Sequence, residues 1–299
     1  MFVGEIAALT AAFMWAASSV VYRFLGQSIP PLSLNILKGA VAIALIGITQ
    51  AILPTTFETD LSWRFWLLAL SGVVGIGLGD TAYFFALNSL GARKTLLLET
   101  LSPPLGALLA WIFIGEVMQD LAWQGIALTL LGIIWVIGEQ QQEIPNRAIE
   151  GKGFFWAIAA ALAQAVGAVL SRAALIDSDV SSLTSSLIRI SAGVFCAAVL
   201  SCLPMFVAEK TFRKRIFSLS ARTFGIVILA ATGSTYLGIW LQQVSLKYAP
   251  TGIAQTLLAT SPLFVIPISL ALKERVSLRS LGGAIIAIAG IGLLFVPVD

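Results

Sequence analysis

The sequence predicts an all-α membrane protein in which ten transmembrane helices form two inverted five-helix repeats. This prediction rests on three features of the chain. Its first half resembles its second, its apolar residues fall into runs long enough to cross a bilayer, and charged residues make up only 11% of the chain against 58% apolar. Soluble domains have about 25% charged residues. The chain therefore has too little charge to cover a water-facing surface.

The duplication is visible without gaps at the start of each half, where residues 4–23 align on 153–172. The paired residues there include Gly4 with Gly153, Trp15 with Gln164 and Arg23 with Arg172. Near the end of each half the pairs are Pro104 with Pro262, Glu116 with Glu274, Gly125 with Gly283 and Gly132 with Gly290. We expect a first repeat at 1–138, a polar connector at 139–152 and a second repeat at 153–299.

A bilayer core requires about 20 apolar residues per helix. Runs of this length predict spans at 4–25, 31–53, 64–88, 95–115, 121–138, 154–176, 182–207, 223–246, 252–272 and 279–297. Each half then holds five spans. Because five is odd, the second repeat enters the membrane in the opposite direction, and the repeats are related by an axis in the membrane plane.

The composition excludes several kinds of chemistry. The chain has no histidine, which removes the usual general base, most zinc sites and every Ser-His or Cys-His nucleophile. Cys196 and Cys202 lie in one apolar run and are predicted to be buried hydrophobic residues. No Walker A loop is present, and the net charge of +3 is too small to indicate a nucleic-acid partner. We expect no cofactor and no metal.

Small residues form stripes along two predicted spans, with Gly75, Gly79 and Ala86 in the third and Gly283, Gly290 and Gly292 in the tenth. In lipid, small residues let helix backbones approach closely. The segment GVVGIGLGD (72–80) is therefore interpreted as a packing surface rather than a nucleotide loop.

Four ionisable residues lie inside predicted spans: Lys38, Asp80, Glu99 and Arg189. Such residues are costly in a membrane and mark functional sites. Glu99 or Asp80 could exchange a proton or hold a substrate amine, while Lys38 holds a substrate carboxylate. The alternative is a buried ion pair that fixes helix register. Arg189 is interpreted as structural, because Asp177 and Asp179 lie in the nearby loop.

Polar and aromatic side chains predict the lining of a central cavity: Gln164, Gln242, Tyr83 and Trp15. A buried glutamine needs a partner or water. Gly238 and Leu257 stand in the second half where the first half has Asp80 and Glu99, so proton-linked chemistry is expected in the first half.

Prolines interrupt the fourth and ninth predicted spans at matching places, with Pro103 and Pro104 in one and Pro262 in the other. Proline removes a backbone donor and kinks a helix. Matching interruptions indicate the binding centre of a transporter, and the three prolines are candidate hinges. A kink that only serves helix packing is the alternative.

Several features of the chain occur together in a recognisable set. They are the paired halves, a basic residue early in the second span of each half (Lys38 and Arg189), the SPP and SP stretches followed by Glu116 and Glu274, and the G-x-x-L-x-x-x-G-I ending at 125–133. The chain resembles the EamA-type branch of the drug/metabolite transporter superfamily over its whole length. The resemblance implies ten helices, a central cavity and carriage of small metabolites, often outward.

The sequence thus favours a gradient-driven transporter of small metabolites, such as an amino-acid exporter, working by alternating access. We expect a multi-pass protein of the cell (inner or plasma) membrane, a monomer or homodimer, with a proton or another ion as a possible coupling partner. The alternatives are a non-transporting membrane scaffold, or an intramembrane enzyme that uses a carboxylate pair.

Two indications of orientation disagree. The loops after the odd-numbered spans carry 13 Lys and Arg residues, and the opposite side carries only Arg64, Arg172 and Lys247. Basic loops favour the cytoplasm, which places both termini outside, whereas the family resemblance places both inside. The charge count, which includes the basic segment 208–217, is preferred.

Overall fold

The computed structural model describes residues 2–25, 29–53, 63–138, 147–203, 220–271 and 278–296, which form thirteen α-helices and two π-helical segments. The first half contains α1 (Val3–Leu25), α2 (Pro31–Ile52), α3 (Trp63–Ser71), π1 (Gly72–Asp80), α4 (Thr81–Glu99), α5 (Ser102–Ile114) and α6 (Asp120–Gly138). The second contains α7 (Arg147–Leu175), α8 (Ser182–Ser201), α9 (Ala221–Ala231), π2 (Thr232–Leu237), α10 (Gly238–Tyr248), α11 (Thr251–Leu258), α12 (Ser261–Ala271) and α13 (Leu278–Leu294).

The described residues confirm an all-helical, multi-span fold. Eight of their helical stretches are long and apolar enough to cross a membrane. Two shorter apolar helices, Val3–Ser18 and Leu281–Leu294, lie at the two ends of the chain. The total of ten spans stays a prediction.

Several predicted boundaries differ from the observed ones. Helix α7 begins at Arg147, so residues 147–152 of the predicted connector are already helical. Helix α4 contributes to two candidate spans, Trp63–Leu87 and Lys94–Ile114. The end of the predicted span 182–207 lies outside the described residues beyond position 203.

Helices of one half pack mainly on helices of the other. Helix α1 packs on α10 and α7 packs on α4. The first contact is close at Gly4, where a Cβ atom would lie 2.7 Å from Ala249. The second is close at Gly153, where a Cβ atom would lie 2.6 Å from Leu90. Gly4 and Gly153 are paired by the duplication, so matching glycines open matching contacts.

The last helices of the two halves, α6 and α13, form the most extensive helix pair among the described residues. A Cβ atom on Gly132 would meet the carbonyl of Gly283 at 2.6 Å, and one on Gly290 would meet the carbonyl of Gly125 at 2.9 Å. These glycines allow backbone contact, as the small-residue stripe predicts. Gly292 is different, because nothing lies within 4 Å of its Cβ position.

The remaining spans follow the same cross-half arrangement. Helix α2 packs on α8, where Gly39 faces Val194, and α5 packs on α11, where Gly252 faces Ala107. Cys202 is exposed at the end of α8, so the prediction that it is buried was wrong. The cysteine follows the last residue of the helix, beyond the part of α8 that other helices cover.

Candidate functional site

Segment π1 lies at the centre of the site because its glycines admit neighbouring chains. A Cβ atom on Gly72 would overlap the backbone of Arg189 in α8, and one on Gly77 would lie 2.6 Å from Cys196. The packing role predicted for this glycine run is therefore observed. The π-helical register was not predicted, although such segments are frequent at functional sites.

Asp80, the last residue of π1, lies between side chains from both halves. Its Oδ2 atom forms an ion pair with Nζ of Lys38 at 2.9 Å. Its Oδ1 atom accepts a hydrogen bond from Nε2 of Gln164 at 3.2 Å. The same Gln164 amide donates to the carbonyl of Gly75 at 3.4 Å. The structure thus brings three sequence-predicted site residues into direct contact.

Arg189 is 1% exposed and donates from Nη1 to Oε1 of Gln242 at 3.1 Å. Its Nη2 atom fits against Gly75, where a Cβ atom would approach to 3.0 Å. Asp80 lies near this guanidinium, and the hydrogen-bond partner of Arg189 is Gln242 rather than the loop residues Asp177 and Asp179. The prediction of a structural pair with those loop acids was wrong, because α8 directs this side chain into the bundle.

Glu99 ends α4 beside this cluster. Asp80 lies near it, and Tyr83 lies near both acids. The Oε1 atom of Glu99 is shielded from solvent and has no hydrogen-bond partner among the described residues. A shielded carboxylate oxygen without a partner is costly to keep ionised. This carboxyl is therefore suited to receive a proton or a donor group from a ligand.

Together these residues form a polar centre, defined here as Lys38, Asp80, Tyr83, Glu99, Gln164, Arg189 and Gln242. It holds two cations and two carboxyl groups within an apolar bundle. Such a set can exchange a proton or bind a small molecule that carries both charges. Among the described residues, no three Cys, Asp or Glu side chains are grouped closely enough to hold a metal ion.

Trp15 lies outside the polar centre. Its Nε1 atom donates to the carbonyl of Ser234 in π2 at 2.8 Å. Nearby in π2, the Tyr236 hydroxyl is 2.7 Å from Oγ1 of Thr49. Gln243, next to Gln242, accepts a hydrogen bond from Ser185 at 2.8 Å instead of joining the centre.

The predicted proline interruptions coincide with breaks between helices. Helix α4 ends at Glu99 and α5 begins at Ser102, while α11 ends at Leu258 and α12 begins at Ser261. Pro103 and Pro262 each occupy the second position of the new helix, so Pro262 takes the place of Pro103 at the helix start although the sequence duplication pairs it with Pro104. Proline is tolerated there because the first amides of a helix have no intrahelical partner.

Sequence reasoning missed one buried ion pair, between Glu116 and Arg172. Nε of Arg172 lies 2.9 Å from Oε1 of Glu116. Arg172 also donates to the carbonyls of Leu246 and Lys247 at the end of α10. Glu116 accepts the amide of Thr251 at the start of α11 at 2.7 Å.

The signal that could have revealed this pair was present in the duplication. Arg23 with Arg172 and Glu116 with Glu274 are repeated opposite charges. The side chain of Arg23 and all of Glu274 lie outside what the structure describes. The pair at Glu116 and Arg172 joins the end of the first half to two helix ends of the second.

A helical protein with many apolar spans and a buried charged centre is a multi-pass membrane protein. The model of the EamA-like transporter family matches residues 2–138 and again residues 151–296. The chain belongs to this family of membrane transporters, within the drug/metabolite transporter superfamily.

Two individual relatives are also described as transporters. An uncharacterized transporter of Archaeoglobus fulgidus is 26% identical over 97% of this chain and 96% of its own length. The uncharacterized transporter YwfM of Bacillus subtilis and protein LicB of Haemophilus influenzae are each 29% identical. Those two matches cover 44% and 52% of this chain and 44% and 53% of the relatives, so the chain spans about half their length.

A solved crystal structure shares the fold. It superposes with a TM-score of 0.74 over 98% of this chain and 96% of the other, at 16% sequence identity. The family and the relatives point to small-molecule transport rather than to catalysis.

Proposed function

We propose that this protein is a gradient-driven secondary transporter of small metabolites, with zwitterions such as amino acids as the substrate class. The observation that supports this most strongly is the polar centre. It places two carboxyl groups beside two cations within an apolar bundle, and one carboxyl oxygen, Oε1 of Glu99, has no partner. Buried charge of this kind is retained in membrane proteins where ions or substrates pass.

In this proposal Glu99 and Asp80 bind the substrate amine or the coupling proton. Lys38 and Arg189 bind the substrate carboxylate, and Gln164, Gln242 and Tyr83 line the cavity. Binding between Lys38 and Asp80 would replace their ion pair by two contacts with the ligand. Both charges would remain compensated at every step, which avoids the cost of an isolated charge in the membrane.

We further propose ten spans in two inverted five-helix repeats, at 1–138 and 153–299, that rock about the polar centre. The cross-half contacts support this arrangement. Helix α1 packs on α10 as α7 packs on α4, and Gly125 meets Gly290 as Gly132 meets Gly283. When two related halves are joined by a two-fold axis, each contact from the first half to the second is matched by an equivalent contact from the second half to the first. The breaks at Pro103 and Pro262 would let each half flex.

The membrane, the orientation and the oligomeric state are also proposals. We propose that the protein lies in the cell membrane as a monomer or homodimer, with both of its termini on the outside. Arg172 is buried in its ion pair, so the side with few basic residues keeps only Arg64 and Lys247 against the 13 on the other side. Both of these donate to backbone carbonyls. The basic segment 208–217 lies outside the described residues.

Reconstitution of the purified protein in liposomes tests the function. A mixture of labelled amino acids is offered with an imposed pH gradient, and we expect accumulation that a proton ionophore abolishes. Glu99→Gln should abolish gradient-driven accumulation while the protein purifies and melts as the wild type does. Glu5→Gln, the same change at the far end of α1, is the matched control and should leave flux unchanged. Equal flux in Glu99→Gln and wild type would exclude a role for Glu99. A wild type that moves none of these solutes would contradict the proposed substrate class.

A further inference from the structure

Two hydrogen bonds cross between the halves and end on π-helical backbone. Nε1 of Trp15 in α1 donates to the carbonyl of Ser234 in π2 at 2.8 Å. Nε2 of Gln164 in α7 donates to the carbonyl of Gly75 in π1 at 3.4 Å. In each case the first helix of one half holds the third span of the other half.

The two bonds occupy matching places in the duplication. Trp15 aligns with Gln164. Because Asp80 aligns with Gly238, Gly75 falls on Gly233, the residue immediately before Ser234. Two different side chains, indole and carboxamide, therefore supply the same N–H donor at positions within one residue of equivalence.

Glycines lie beside both bonds, and one of them makes room for the donor. A Cβ atom on Gly238 would overlap Nε1 of Trp15. A Cβ atom on Gly79 would lie 3.8 Å from Nε2 of Gln164 and 3.2 Å from Ala163, one residue earlier in α7. Gly238 therefore admits the Trp15 donor itself, whereas Gly79 allows the backbone of α7 to approach π1 beside Gln164.

In a π-helix each hydrogen bond spans five residues, whereas in an α-helix it spans four. A shift of each hydrogen bond by one residue therefore converts a π segment into α-helix. The amide of Gly238, at the end of π2, donates to the carbonyls of both Gly233 and Thr235, so the hydrogen-bond ladder there is shared between the π register and a tighter one. Trp15 adds an N–H donor from the other half at the carbonyl of Ser234, which lies between these two acceptors. Loss of the Trp15 bond would remove this donor from π2 and favour return of the segment to α-helical pairing.

The two bonds are unequal in length. The Trp15 bond has the usual length for N–H to oxygen, and the Gln164 bond is beyond the usual 2.7–3.2 Å. The reason lies at Asp80, whose Oδ1 atom accepts from the same Gln164 amide at 3.2 Å. The charge on Asp80 therefore competes with the backbone of π1 for Gln164.

We propose that Trp15 and Gln164 are positioning residues that act as a pair of alternating latches on the π segments. Each holds the π segment of the opposite half, and one bond tightens as the other is released when the protein changes the side to which it opens. The proposal rests on the proposed transport function. Neutralisation of Asp80 by a proton or a substrate amine frees Gln164 to tighten on Gly75, which links the polar centre to the backbone that must move.

Distances between the halves test the latches without any substrate. Spin labels are attached at Gln119 and Asp179, exposed positions of the first and second half, after replacement of Cys196 and Cys202. Trp15→Phe keeps the ring and removes the N–H donor, and Gln164→Met keeps the length and removes the amide. Double electron–electron resonance measures the distance between the two labels. It gives the populations of the two conformations, each with its own distance.

We expect Trp15→Phe to shift the ratio of the two populations by roughly tenfold in one direction, the effect of one buried hydrogen bond. Gln164→Met should shift the ratio in the other direction, and the double variant should return towards the wild-type ratio. Trp15→Gln, which copies the donor of the second half, should lie closer to wild type than Trp15→Phe does.

Shifts in the same direction, no shifts, or identical ratios in Trp15→Phe and Trp15→Gln would overturn the proposal. A purely structural role would lower the melting temperature in every variant without opposite shifts. Flux of wild-type protein in liposomes is measured separately. Opposite shifts in a protein that carries no solute would contradict the transport function and leave the latches standing.

Discussion

Replacement of Glu116 by alanine leaves the guanidinium of Arg172 without its counter-ion. Arg172 is 8% exposed, and its Nε atom lies 2.9 Å from the carboxylate that the substitution removes. The amide of Thr251 loses its acceptor at the same time. Breaking a buried ion pair from one side costs about 3–5 kcal/mol of unfolding free energy. For a chain of this size such a loss lowers the melting temperature by about 10 °C.

A substitution of Arg172 separates the effect of its charge on stability from the effect of its packing. Arg172→Met keeps an unbranched side chain but removes the charge and the donors to the carbonyls of Leu246 and Lys247. The double variant has no unpaired charge. We therefore expect it to be more stable than the sum of the single effects predicts, by about 1–3 kcal/mol. Melting curves in one detergent give all four values, with Glu5→Ala as the matched control.

Strict additivity of the two substitutions would refute this reasoning, because independent effects cannot come from one ion pair. A Glu116→Ala variant that melts with the wild type would refute it as well. The pair would then be a contact of exposed groups worth almost nothing. A drop in Glu5→Ala equal to that in Glu116→Ala would show that loss of any acid destabilises the protein.

Three further predictions concern the helix breaks, the glycine contact and the orientation. Pro103→Ala and Pro262→Ala should slow liposome flux several-fold while melting temperatures change little, and wild-type rates in both would make these prolines packing features. Gly132→Ala should destabilise the protein by about 1–3 kcal/mol, because its new Cβ atom would meet the carbonyl of Gly283 at 2.6 Å. The control Gly292→Ala, with nothing within 4 Å, should be neutral or stabilising. A single cysteine at Ser218, outside the described residues, should resist an impermeant thiol reagent added to intact cells, and labelling there would place both termini inside.

The helical class and the multi-span character could be predicted because they depend on local properties. Apolar runs of membrane length have few alternatives to a helix, since lipid cannot satisfy backbone polar groups. The glycine contacts of α6 and α13 were predictable for a related reason. Close backbone approach in lipid requires small residues at a helical spacing, and the duplication repeated Gly125 and Gly132 as Gly283 and Gly290.

The ion pair of Lys38 and Asp80 was within reach of the sequence, because helix direction places both at one depth. The partner of Arg189 was not. The choice between Gln242 and the acids at 177 and 179 depends on which way α8 is rotated, and rotation is set by packing against π1. The π register itself has no sequence signal beyond the glycines. Residues far away in the chain, such as Gln164, contact the π segment, and such contacts cannot be read from local sequence.

The two halves have diverged in charge far more than in packing. Matching glycines, prolines and cross-half contacts persist, yet the acids at 80 and 99 have no counterparts at Gly238 and Leu257. A symmetric pair of acidic sites would place four carboxyl groups in one apolar centre, with mutual repulsion to overcome. With the acids confined to the first half, the second half contributes Arg189, Gln164 and Gln242 around them. Both halves then line one charged centre, while their helices keep related shapes and packing.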